Sequence, residues 1–126
     1  MALKILQTDK TPYIYCNEGI IEIKGRSIIE NPEVFYAPLK EWMEEYFQHT
    51  HSFTEVNIQI EYSNSNSNKY LFKLLSILEQ AYNYGCDLKI NWYYESDDDT
   101  LRELGLDYQS IIDVPFELIT SPSPGK

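Results

Sequence analysis

Thr54-Glu55-Val56-Asn57-Ile58-Gln59-Ile60-Glu61-Tyr62 alternates with a period of two: Thr54, Val56, Ile58, Ile60 and Tyr62 fall on one face of an extended chain, and Glu55, Asn57, Gln59 and Glu61 on the other. The central strands of a doubly wound sheet are buried on both faces and read as unbroken apolar runs. This strand keeps a polar face. It belongs to a sheet with helices packed on one side and the other side partly wet, which argues against a Rossmann-like or flavodoxin-like nucleotide site.

The elements on either side extend the same pattern. Downstream, Leu88, Ile90, Trp92 and Tyr94 alternate with Asp87, Lys89, Asn91 and Tyr93, and a short strand from Phe116 to Ile119 follows Pro115. Upstream, Tyr13-Ile14-Tyr15-Cys16 and Ile20-Ile21-Glu22-Ile23-Lys24 flank Asn17-Glu18-Gly19, a loop with the Asn and Gly that a tight hairpin favours.

Three helices fill the intervals. Asn31-Pro32 reads as an N-cap followed by proline at the first helical position, with Val34, Phe35, Leu39, Trp42, Met43, Tyr46 and Phe47 at helical spacing. Pro38 either kinks this helix or moves its regular part to begin near Tyr36. The second helix carries Tyr70, Leu71, Leu74, Leu75, Ile77, Leu78, Ala81 and Tyr82 in one stripe, and Gly85 ends it. A third starts around Ser96 to Asp99, with Ser96 or Asp97 as cap, runs through Leu101 and Leu104, and is weakened by Gly105.

The expected order is ββαβαβαβ. It describes a single α/β domain over residues 1–119, with a mixed, mostly parallel five-stranded sheet and helices on one face. The tail from Thr120 to Lys126, with its Ser-Pro repeats, reads as disordered.

Composition removes several function classes. The 126 residues suit one domain, and 43% hydrophobic with 14% aromatic content suits a globular one. The formal charge of -10 and the absence of a basic cluster exclude binding to a nucleic-acid backbone, and favour a partner with a basic face. No export signal is legible in Met1-Ala2-Leu3-Lys4-Ile5-Leu6, because the polar Gln7-Thr8-Asp9-Lys10 cuts the apolar stretch short, and no run is long enough for membrane insertion. Cys16 and Cys86, isolated and far apart, suit two buried thiols in a reducing compartment, so a cytoplasmic location is expected.

Catalytic and cofactor chemistry is nearly absent. The five glycines are scattered singly, and neither a His-Glu-x-x-His nor a G-x-S-x-G pattern occurs. His49 and His51 read as solvated residues at a helix end. Glu95-Ser96-Asp97-Asp98-Asp99 is the densest acidic run; it reads first as a helix start whose carboxylates complement the dipole. With an outward Tyr93 it also defines the competing possibility, a small-molecule or metal-binding module. No cofactor is expected.

One polar run carries a different chemistry. In Glu61-Tyr62-Ser63-Asn64-Ser65-Asn66-Ser67-Asn68-Lys69, hydroxyl side chains stand between a strand and a helix N-terminus. Backbone N–H groups there lack intrahelical partners and the dipole favours negative charge, so a phosphate attached to a serine would be held. Residue chemistry alone leaves Ser63, Ser65 and Ser67 open.

Together with Thr11-Pro12, Gly25-Arg26-Ser27-Ile28-Ile29-Glu30-Asn31, Trp42, Trp92-Tyr93-Tyr94, Asp98, Glu103-Leu104-Gly105 and Pro115-Phe116, this run resembles the SiaC family of bacterial regulatory phosphoproteins. Their fold is similar to the anti-sigma-factor antagonist (STAS) domain. The resemblance aligns Ser65 with the phosphorylated position, with Ser67 and Ser63 as neighbouring alternatives, Asn64 with the preceding asparagine and Lys69 with the lysine. Asn66 stands where the family often has serine, and Ile29 where it usually has proline. Asn64, Asn66, Ser67, Lys69, Glu30, Asn31 and Tyr93 are the expected partner-binding residues. What the resemblance implies is a protein without catalysis of its own. A Ser/Thr kinase of the anti-sigma-factor type would phosphorylate it, a PP2C-like phosphatase would reverse this, and the unmodified form would bind an effector such as a diguanylate cyclase.

Overall fold

The computed structural model describes residues 2–49 and 53–121. Its order is β1 (Leu3–Ile5), β2 (Tyr13–Asn17), β3 (Ile20–Ser27), α1 (Pro32–Tyr46), β4 (Thr54–Ser63), α2 (Ser65–Asn83), β5 (Leu88–Glu95), α3 (Asp99–Ile111) and β6 (Phe116–Ser121). The six strands lie in one sheet in sequence order. β1, β2 and β3 pair antiparallel; β3, β4, β5 and β6 pair parallel.

The five-stranded expectation is thus corrected to six, and the sheet is mixed, with three parallel and two antiparallel pairings. β1 has only three residues, Leu3–Ile5, too few for alternation to register, and long-range pairing with Ile14–Cys16 creates it. At the other end β6 runs two residues past Ile119, pairing Thr120 with Tyr94 and Ser121 with Glu95. The rest of the expected tail, 122–126, lies outside the described residues, as does His51.

The strand order explains why the helices share one face. A crossover between parallel strands is right-handed. Three successive crossovers that each step to the next strand in the same direction place α1, α2 and α3 on the same side. Among the described strands the order never reverses, so the crevice that holds nucleotides in doubly wound sheets does not form. Ile14, Cys16, Ile21, Ile23, Val56, Ile58, Ile60, Leu88, Ile90 and Trp92 meet Tyr36, Leu39, Met43, Leu71, Leu74, Leu75 and Leu78 in a single core.

Local details depart from expectation. Helix α1 continues through Pro38. Helix α3 runs on through Gly105, which lets it approach the sheet: a Cβ there would lie 2.5 Å from Trp92 Cδ1, while Trp92 Nε1 donates to the Leu101 carbonyl at 3.0 Å. Asn57 and Asn91, expected on a wet face, are 8% and 4% exposed and bond to each other, Asn91 Nδ2 donating to Asn57 Oδ1 at 2.9 Å. Cys16 is fully buried, whereas Cys86 is only half-buried.

The irregularity that matters most is a bulge between β3 and β4. Gly25 pairs with Ile60, but Arg26 pairs with Tyr62 and Ser27 with Ser63, so Glu61 is the extra residue. Gly25, at φ +120°, takes a conformation that few other residues tolerate. An extra residue reverses a strand's alternation. Tyr62, which an uninterrupted pattern would bury beside Ile60, is therefore 56% exposed, and Ser63 takes the helix side in register with the buried Ser27.

Candidate functional site

The bulge delivers the chain to the start of α2 with Ser63 on the helix side. Asn64 is the N-cap: in extended conformation (φ -87°, ψ 173°), its Oδ1 accepts from the Ser67 N–H at 2.9 Å. Its Nδ2 donates to the Ile29 carbonyl at 3.2 Å, and its own N–H donates to the Ser27 carbonyl at 3.1 Å. Asn66 Nδ2 reaches the Glu30 carbonyl at 3.2 Å. The two asparagines thereby tie the start of α2 to the segment leading into α1, placing Glu30 and Asn31 beside Asn66 and Lys69.

The three serines separate cleanly by environment. Ser67 is fully buried: Ser27 Oγ donates to Ser67 Oγ at 2.9 Å, and Ser27 Oγ and the Tyr36 hydroxyl share a bond of 2.7 Å. Burial pushes the Tyr36 phenol up to about 12, with its bond to Ser27 opposing this, so the chain of hydroxyls stays neutral. Ser63 is half-buried and donates to Asn68 Oδ1. Ser65, the first residue of α2, is exposed.

The expectation that Ser67 contributes to a docking surface, or stands in as acceptor, fails on this geometry. Its hydroxyl has no exposed surface and is bonded inside the core. Lys69 is exposed one turn beyond Ser65. Tyr93 is not brought to the site: it lies on the helix-free face of β5, opposite in sense to Trp92, and pairs with Ile119 of β6.

Helix α3 braces the same turn from the other side. The Tyr108 hydroxyl donates to the Asn68 carbonyl at 2.8 Å, and Tyr108 packs edge-on against Trp92 with ring centroids 5.5 Å apart. Asp98, rather than Ser96 or Asp97, caps α3, its Oδ1 accepting from the Leu101 N–H at 3.0 Å. The acidic run is thus a helix start. Among the described residues no group of three His, Cys, Asp or Glu side chains is arranged to hold a metal.

Sequence reasoning did not identify Ser27, Tyr36 and Tyr108 as supports of this turn. Tyr36 and Tyr108 lie on other helices and meet this turn only through the fold, Tyr108 by its bond to Asn68 and Tyr36 by way of Ser27; the glycine at the bulge was the one local signal for the change of face.

Fold and site define a class: a small one-sheet α/β domain that presents an exposed serine on a capped, rigidly braced helix start. Residues 5–121 match the SiaC family of regulatory phosphoproteins, and the chain belongs to that family. An uncharacterised protein of Pseudomonas aeruginosa strain UCBPP-PA14 is 25% identical over 118 residues, 92% of this chain and 94% of that protein. The crystal structure of apo-SiaC from Pseudomonas aeruginosa superposes with a TM-score of 0.85 at 25% identity, covering 94% of this chain and 98% of that one. SiaC as the activator in complex with the diguanylate cyclase SiaD, from the same organism, superposes with a TM-score of 0.88 at 24% identity, covering 94% and 99%. Among the described residues no helix is long and apolar enough to cross a membrane.

Proposed function

We propose that this chain is a non-enzymatic, STAS-like partner-switching protein of the cytoplasm whose state is set by phosphate on Ser65. The modification would come from a Ser/Thr kinase of the anti-sigma-factor type and be removed by a PP2C-like phosphatase. The unmodified form binds an effector, a diguanylate cyclase; the related SiaC is the activator in a complex with the diguanylate cyclase SiaD.

The observation that carries the reading is the sorting of the serines. Of the three serines in the run, only Ser65 is exposed, and it stands at the first position of a capped helix. A phosphate there adds about 1.5 to 2 negative charges and strong acceptor oxygens. The unsatisfied first-turn N–H groups, the helix dipole and the exposed Lys69 one turn on stabilise that charge, so the fold survives modification. A partner seated on this turn meets the added charge and bulk at the point of contact.

Calorimetric titration of each full-length diguanylate cyclase of the source cell with unmodified and with Ser65-phosphorylated protein tests the proposal. One cyclase binding the unmodified form at least tenfold more tightly is the expected outcome. Equal affinity for the two forms, or no binding by either, contradicts it.

A further inference from the structure

Beside Ser65 a groove of about 570 Å³ runs between the start of α2 and α3. Tyr62, Leu101 and Leu104 give it an apolar lining, and Ser63 and Asn68, which flank Ser65 along the chain, line it as well. Tyr62 also lines an adjoining cleft of about 410 Å³ that reaches Arg26 and Tyr94. An aromatic ring 56% exposed on a central strand is there because the bulge turns it outward. Packing does not account for it.

The rim has a single sign. Glu61, Asp98, Glu103 and Asp107 line the groove, and among the described residues no lysine or arginine does. Asp98 is committed to capping α3, but Glu103 and Asp107 are exposed and one turn apart. Like charges at that spacing destabilise a helix. Their place on α3 therefore brings nothing to the helix itself.

We infer that this groove is the docking surface for the effector of the proposed switch, and that it receives a segment carrying an apolar or aromatic side chain flanked by lysine or arginine. Tyr62 supplies the apolar contact, and Glu103 and Asp107 supply the complementary charge. The inference rests on the partner-switching reading and adds the chemistry of the contact. It also assigns separate roles to the two kinds of negative charge. Phosphate on Ser65 has the sign of the rim, so it does not slow the long-range approach of a cationic segment; it acts at contact, through bulk and desolvation. The rim carboxylates act before contact, by steering.

Association kinetics of the full-length cyclase with the full chain separate these roles. The double variant Glu103→Gln, Asp107→Asn, which keeps side-chain shape, is expected to lower the association rate about tenfold and to flatten its salt dependence. Tyr62→Ala is expected to raise the dissociation rate at least tenfold, with melting curves confirming that both variants are folded. Unchanged rates and salt dependence in both variants, while Ser65 phosphorylation still abolishes binding, overturn the groove and leave the switch standing. A cyclase that binds neither form of the wild-type chain overturns the switch and the groove together. A variant-sensitive homodimer in sedimentation of the chain alone shows the groove to be a self-association surface, and overturns the assignment.

Discussion

Ser65 and Ser67 are two residues apart, and replacing each by alanine should produce opposite results. Ser67→Ala removes the acceptor of the Ser27 Oγ bond at a site where both side chains have no exposed surface. Loss of one such bond costs about 0.5 to 1.5 kcal/mol, rising toward about 3 kcal/mol when the remaining buried hydroxyl has no substitute acceptor. Ser27 keeps Tyr36 as a partner, so about 1 to 2 kcal/mol is expected. Unfolding entropy of roughly 2.1 cal/mol/K per residue makes each kcal/mol worth about 4 °C in a chain of 126 residues. Ser67→Ala should therefore melt about 4 to 8 °C below wild type and still accept phosphate. Ser65→Ala, at an exposed position, should shift stability by less than about 0.5 kcal/mol and accept none. Differential scanning calorimetry and mass spectrometry after incubation with the cognate kinase report both quantities. A Ser67→Ala protein with unaltered melting and no phosphate is incompatible with this sorting of the two hydroxyls.

Three further outcomes follow from the packing. Gly105→Ala places a methyl against Trp92; the clash, about 1 to 3 kcal/mol, outweighs the roughly 1 kcal/mol gain in helix propensity, so urea melts followed by tryptophan fluorescence should show net destabilisation. A net gain would mean α3 does not press on Trp92. Asn64→Ala removes the cap of α2 and its tie to Ile29, and should cost about 1 to 2 kcal/mol in the same assay, whereas no loss would show the start of α2 to be held without it. Burial pushes the Cys16 thiol from 9.0 to about 12 and the Tyr36 phenol from 10.0 to about 12, so both stay protonated in the folded chain at pH values where the unfolded chain ionises. Their contribution is complete below about pH 9 and is lost between about pH 9 and 12, at up to about 1.4 kcal/mol per pH unit for each group. Denaturant titrations at about pH 8, 10 and 11 should show that decline, and a Cys16→Val variant should lose less between about pH 9 and 10; a flat profile contradicts the burial argument.

Much of the fold was legible because strong periodicity and burial agree. The apolar faces of Thr54 to Ile60 and Leu88 to Trp92, and most of the stripe of α2, read the same way in the sequence and in the structure, although Asn57 and Asn91 on the opposite face are buried. What was not legible arises from contacts distant along the chain. β1 exists only through its pairing with β2, and the bulge that exposes Tyr62 is a property of two strands rather than of one. Gly105 reads as a helix weakener until Trp92 is placed against it. At the site, a capped start of α2 could be anticipated from local chemistry, whereas local chemistry left the three serines open and only the family resemblance singled out Ser65. The burial of Ser67 could not be anticipated, because its partner Ser27 lies 40 positions upstream and is itself held by Tyr36.

The proposed switch turns on one atom, Ser65 Oγ. Its decisive test is site-resolved mass spectrometry of the protein isolated from its native cell, and again after incubation with its kinase. Phosphate on Ser65, with none on Ser63 or Ser67, is the expected result. Phosphate on the buried Ser67, or consistently at any residue other than Ser65, would contradict it.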